Sequence, residues 1–135
     1  QLKTLLLSAF QTKDALKKRS NQMVKTKYSA TEIREIAKEL VELLTANKIV
    51  VDKIILYGSY AAGKPREHSD IDIAVISPSF KGKKILEIQG KLANVFSRYL
   101  SIIEPVGYSS EDFRIAKPET LLGEIKKSGK VLYAA

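Results

Sequence analysis

Residues 58–75 read GSYAAGKPREHSDIDIAV, and the fold turns on how this stretch is read. An apolar run, Ile54-Ile55-Leu56-Tyr57, leads into Gly58-Ser59. After ten intervening residues, Asp70-Ile71-Asp72 heads a second apolar run that ends at Ile76. Two strands joined by a turn and a loop are the simplest account. Side chains alternate faces along a strand at 3.2–3.4 Å per residue, so Asp70 and Asp72 share a face about 7 Å apart, while Ile71, Ile73 and Val75 take the other. Two carboxylates so spaced suit a shared divalent cation, because hard ions such as Mg²⁺ prefer oxygen ligands. Gly58 and Ser59, at the start of a short helix over Ser59–Ala62, would offer free backbone N–H groups to a phosphate.

Outward from this stretch the chain alternates helices and strands. Ser29 followed by Glu32 is a capping-box pattern. It opens a helix whose buried stripe is Ile33, Ile36, Ala37, Leu40, Leu43 and Leu44, with Asn47 at its end. Val50–Tyr57 and Asp70–Ile76 are the first two strands. Ile85, Ile88, Leu92, Val95, Phe96 and Tyr99 recur at helical spacing, which predicts a helix over 83–99. Ser101–Val106 reads as a third strand, with Pro105 placing it at an edge or a strand end. Ser110-Glu111-Asp112 resembles a helix start. A last helix opens at Pro118-Glu119 and is capped by Gly129. Val131-Leu132-Tyr133 is either a packed strand or an extended tail. The expected class is α/β (α+β): a small mixed sheet flanked by helices.

The 135 residues suit one compact domain over 29–135, preceded by a basic helical arm over 1–28. Residues 1–30 hold seven Lys or Arg against Asp14 alone, while the rest hold sixteen basic against fourteen acidic side chains. The net charge of +8 therefore belongs mainly to the arm. Its Leu2, Leu5, Leu6, Ala9, Phe10 and Leu16 form an amphipathic stripe that needs the domain or a second subunit, as in a homodimer, to cover it. The arm also suits contact with nucleic acid or an acidic protein, or simple solvation. No cysteine is present, which excludes disulfides, thiolate nucleophiles and Cys-ligated zinc and fits a reducing, cytoplasmic setting. No apolar run reaches the ~18 residues of a helical membrane span, so no membrane contact is expected. A chain starting at Gln1 suggests a missing or processed start.

Two divalent ions carry more positive charge than two aspartates balance, and an attacking hydroxyl needs a proton acceptor. Glu104, in the Ile103-Glu104-Pro105 strand, is the expected third carboxylate, with Glu111 and Asp112 as fallbacks. Lys64 and Arg66, between the two motifs, are candidate phosphate contacts, Arg through its bidentate fork, or else solvated loop charges. His68, the sole histidine, could orient Asp70 or contact a base; otherwise it caps a turn. Tyr60 lines a nucleotide pocket or plugs the core beneath the short helix. Ser59 is no covalent nucleophile, since only His68 could activate it.

Gly58-Ser59, ten residues, then Asp70-Ile71-Asp72 resembles the signature of the polymerase-beta-like nucleotidyltransferase superfamily. The short chain is most similar to the minimal nucleotidyltransferases, which include antitoxins of HEPN–MNT toxin–antitoxin modules. The resemblance spans roughly residues 31–133, including Ala62-Gly63, the Ile-Glu-Pro-Val strand at 103–106 and the closing Gly129–Tyr133. It implies a polymerase-beta-like fold, with phosphate contacts at Gly58 and Ser59 and metal ligation by Asp70 and Asp72. Glu104 stands where the superfamily usually carries a third carboxylate, commonly Asp. One or two Mg²⁺ ions and ATP or another NTP would serve a nucleotidyl transfer. The implied acceptor is a tyrosine of a HEPN-type toxin, silenced by AMP. The alternative is a weak or inactive antitoxin subunit acting by contact alone. Nucleic-acid elongation suits the arm but lacks template-gripping domains.

Overall fold

The computed structural model describes residues 27–135, so the arm expected over 1–28 lies outside the described residues except for Lys27 and Tyr28. In chain order the elements are α1 (Ala30–Ala46), β1 (Lys53–Tyr57), α2 (Gly58–Ala61), β2 (Ile71–Ser77), a 3₁₀ turn (Pro78–Phe80), α3 (Ile85–Val95), β3 (Ile103–Ser109), α4 (Ser110–Arg114), α5 (Leu121–Ser128) and β4 (Lys130–Ala134). The strands form one mixed sheet in the order β3-β2-β1-β4. β1 pairs antiparallel with β2 and β4, and β2 pairs parallel with β3.

The capping box at Ser29 is fully formed. Ser29 Oγ accepts from the Glu32 N–H at 3.1 Å, and Glu32 Oε1 accepts from the Ser29 N–H at 2.9 Å. The six apolar residues of the α1 stripe are all buried. They join Ile54, Leu56, Ile71, Ile73 and Val75 on one face of the sheet, with Ile88, Leu92, Phe96 and Tyr99 completing that layer. The opposite face is smaller. Leu122 and Ile125 of α5 cover Ile55, Ala74 and Ile76 there. β2 is central and buried on both faces, which explains its near-continuous apolar run. Asp72 is the polar residue within it that keeps partial exposure.

Cross-strand register fixes what shares each row of the second face. Tyr57 pairs with Asp72, and Asp72 with Glu104. One row further come Ile55, Ala74 and Val106, and beyond them Lys53, Ile76 and Tyr108. α5 covers the middle row and Ile76. The row of Tyr57, Asp72 and Glu104, at the end of the sheet where α2 begins, is left partly open, with Glu104 exposed.

Elsewhere the boundaries differ from the sequence pattern. The helix expected over 83–99 stops at Val95, and 96–102 continue as turns. Tyr99 N–H bonds to Phe96 O, three residues back rather than four. A three-residue step buries Phe96 and Tyr99 as well as a helix would, so periodicity alone did not separate the two. The third strand runs Ile103–Ser109 rather than 101–106. The last helix begins at Leu121, capped by Thr120 Oγ1 accepting from Gly123 N–H. The C-terminal apolar patch is a strand, β4.

β3 is an edge strand and its outer side is closed by three devices. Ile103 N–H bonds to Tyr99 O, and Pro105 has no N–H to offer. The Gln89 side chain acts as a surrogate strand, donating to Pro105 O at 3.0 Å and accepting from Gly107 N–H at 3.1 Å. Such capping keeps a sheet edge from pairing with another chain.

Candidate active site

The end of β1 and the head of β2 meet because the strands pair antiparallel around the 58–70 connection. Gly58 takes φ +72°, a left-handed conformation that a side chain strains. A Cβ on Gly58 would stand 2.2 Å from Asp72 Oδ2. Glycine is thus required both by the backbone and by the closeness of the carboxylate. α2 begins at that residue and has no side-chain cap. At four residues it contributes little dipole, and what it offers is uncapped backbone donors beside Asp72. Lys64 N–H bonds to Ser59 O, tying the following loop back onto α2.

Asp70 immediately precedes β2 and is exposed, while Asp72 is the second residue of the strand. Glu104 sits beside Asp72 in the parallel register, on the same face. Burial, followed by the charges of Glu104 and Asp70, pushes the Asp72 carboxyl above its usual range. The two other acids therefore lie near enough to act on it electrostatically. Among the described residues none of the three makes an ion pair. Three carboxylates at one end of the sheet, without a counter-cation among the described residues, are the kind of oxygen donors that a hard divalent ion prefers. Among the described residues, no three such groups already converge closely enough to enclose an ion by themselves.

Lys64 and Arg66 lie exposed on the loop between the motifs, and no described carboxylate pairs with either. His68, also exposed, takes φ +62° at the turn before Ser69. Tyr60 is buried in the core, and its hydroxyl accepts from the Tyr28 N–H at 3.1 Å. The fallback acids stand apart. Glu111 and Asp112 open α4 beyond the far end of β3, where Glu111 meets Lys81 at 3.6 Å.

Two tyrosines at the site escaped the sequence reading. Tyr57 lies next to Asp72, and its phenol is pushed up by burial and then by Asp72, Tyr108 and Glu104. Tyr28 is raised by burial and then by Tyr60, Glu32 and Asp70. The pairing that brings Tyr57 to Asp72 was implicit in two strands flanking one connection. Tyr28 arrives through tertiary packing and left no local signal.

A family model described as polymerase beta, nucleotidyltransferase matches residues 38–135. A candidate protein adenylyltransferase of Methanocaldococcus jannaschii is 37% identical over 82 residues, covering 57% of this chain and 80% of that protein. Among solved structures, a candidate nucleotidyltransferase from Sulfolobus solfataricus superposes with a TM-score of 0.53 at 17% identity, over 75% of this chain and 79% of that one, and so shares the fold. A toxin–antitoxin structure with AMP-PNP gives a TM-score of 0.44 at 28% identity, over 71% of each chain.

Proposed function

Because the chain belongs to the polymerase beta nucleotidyltransferase family, we propose that it moves AMP from ATP to a tyrosine hydroxyl of a protein partner, a HEPN-type toxin that is silenced by the modification. The observation that carries this reading is the row of Asp72 and Glu104 in register, with the charge of Asp70 acting on Asp72 and Gly58 pressed against its carboxylate. A relative named as a candidate protein adenylyltransferase supports a protein acceptor. The toxin partner and the tyrosine rest on the resemblance to minimal nucleotidyltransferases.

In this reaction the acceptor oxygen forms a bond to the α-phosphorus, the bond from that phosphorus to the bridging oxygen breaks, and pyrophosphate leaves. The acceptor proton passes to a carboxylate, for which Glu104, exposed at the rim, is best placed. Gly58 and Ser59 hold the phosphates through backbone N–H groups, and Lys64 and Arg66 reach them from the loop. Mg²⁺ held by Asp70, Asp72 and Glu104 would lower the pKa of the acceptor hydroxyl and offset the charge of the departing pyrophosphate.

The test is to incubate the full chain with ATP, Mg²⁺ and a HEPN-domain protein from the same genome. The partner should gain one AMP on a tyrosine, and the Asp70→Asn/Asp72→Asn double variant should add none. Labelling unchanged in the double variant would overturn the assignment. A second reading, a contact-only antitoxin, draws on Glu104, which stands where the superfamily commonly carries Asp. It predicts that the double variant still silences the partner.

A further inference from the structure

The second sheet face carries another cluster, at the opposite end from the carboxylates. An open pocket of about 450 Å³ there is lined by β1, α4 and α5. Three of its side chains are cationic: Lys53, Arg114 and Lys126. Lys53 and Lys126 hold their ammonium groups 5.7 and 5.4 Å from the Phe113 ring centre, which keeps both amines beside the pocket. Lys126 is further fixed by donating to Arg114 O at 2.9 Å. Arg114 makes no ion pair among the described residues.

The same wall contains an unexplained atom. Ser110 Oγ is buried from water and has no hydrogen-bond partner among the described residues. A buried hydroxyl left without a partner is rare in folded proteins and calls for a ligand or an ordered water. Asp52 and Glu111 also border the pocket. Glu111 is engaged by Lys81 at 3.6 Å, and Asp52 lies 3.8 Å from Lys53. The two acids would repel an extended polyanion running across the pocket more than one compact anion held by the cations.

From the convergence of three cations and an unpartnered hydroxyl on one pocket, we infer a second binding site for a small phosphomonoester, separate from the nucleotidyl-transfer site. Lys53 and Tyr57 are four residues apart on β1, so the pocket lies about 13 Å from the carboxylate row. A phosphate dianion there accepts from the Arg114 fork and the two ammonium groups, and from the Ser110 hydroxyl, while Phe113 faces the organic part of the ligand.

The experiment is a titration of the ¹⁵N-labelled full chain with inorganic phosphate and, separately, with AMP, followed by amide shifts. Saturable shifts centred on 110–114 and Lys126 are expected for both. Arg114→Ala and Ser110→Ala, whose spectra also report whether they are folded, should each weaken binding about fivefold or more. Asp72→Asn should leave the phosphate titration unchanged, so this site and the transfer site can fail independently. A tighter response to AMP assigns the natural ligand to a nucleotide or similar ester, and equal responses assign it to free phosphate. Shifts that do not saturate, that persist unchanged in both variants, or that are confined to 58–72 would overturn the inference.

Discussion

Gly58 meets two demands, a left-handed φ of +72° and a carboxylate oxygen 2.2 Å from where a Cβ would lie. A non-glycine residue in that conformation costs about 1–2 kcal/mol before any clash. Gly58→Ala should therefore lose at least that much stability in urea denaturation. It should also cut AMP transfer more than tenfold, because Asp72 must move aside. Transfer at the wild-type level would show that the Asp72 position seen here is not the working one. Asp72 also carries a pH signature. Its carboxyl is raised by burial and by Glu104 and Asp70. In the metal-free protein the folded state then holds more protons than the unfolded chain across the window from the ordinary carboxylate value to the raised one, so stability falls as pH rises through that window. Asp72→Asn removes this penalty. Its melting temperature should exceed that of the wild type at pH 7, and the gap should close near pH 3. Added Mg²⁺ should raise the wild-type melting point and leave the variant unchanged, since a ligand stabilises only the state that binds it.

At the scale of elements, legibility followed the range of the interactions. α1 was readable because its capping box and its stripe are local, and both are formed. β2 was readable because a central strand must be apolar on both faces, which makes Asp72 stand out. Gly58-Ser59 and the Asp70/Asp72 pair could be recognised for the same reason. The end of α3 was not readable, since Phe96 and Tyr99 satisfy a turn and a helix equally. Nor was the alignment of Glu104 with Asp72, which depends on the parallel register of strands about thirty residues apart. Gln89, read only as part of a helical pattern, turned out to seal the β3 edge. Gln89→Ala should cost about 1–2 kcal/mol for two lost backbone bonds. Hydrogen exchange at Gly107 N–H should speed up markedly in the variant. Unaltered exchange would mean that the edge is protected by something other than this amide.

For the molecule as a whole, α1 and α3 cover one face of the sheet in the larger layer, and the smaller layer leaves the sheet end with Asp72 and Glu104 partly open. No helix among the described residues is long and apolar enough to cross a membrane. Most of the net positive charge sits before residue 31, so under the proposed function the sheet face would attract phosphates through placed donors rather than through net field. The central claim is that Asp70, Asp72 and Glu104 jointly hold a divalent ion over the phosphates carried by Gly58-Ser59. The most direct measurement uses Mn²⁺ as a paramagnetic substitute, added with ATP to the ¹⁵N-labelled full chain. The account predicts selective broadening of the amides of 58–59, 70–72 and 103–105, lost in Asp70→Asn/Asp72→Asn and weakened in Glu104→Gln. Broadening that spares 103–105, or that survives the double substitution, would contradict it.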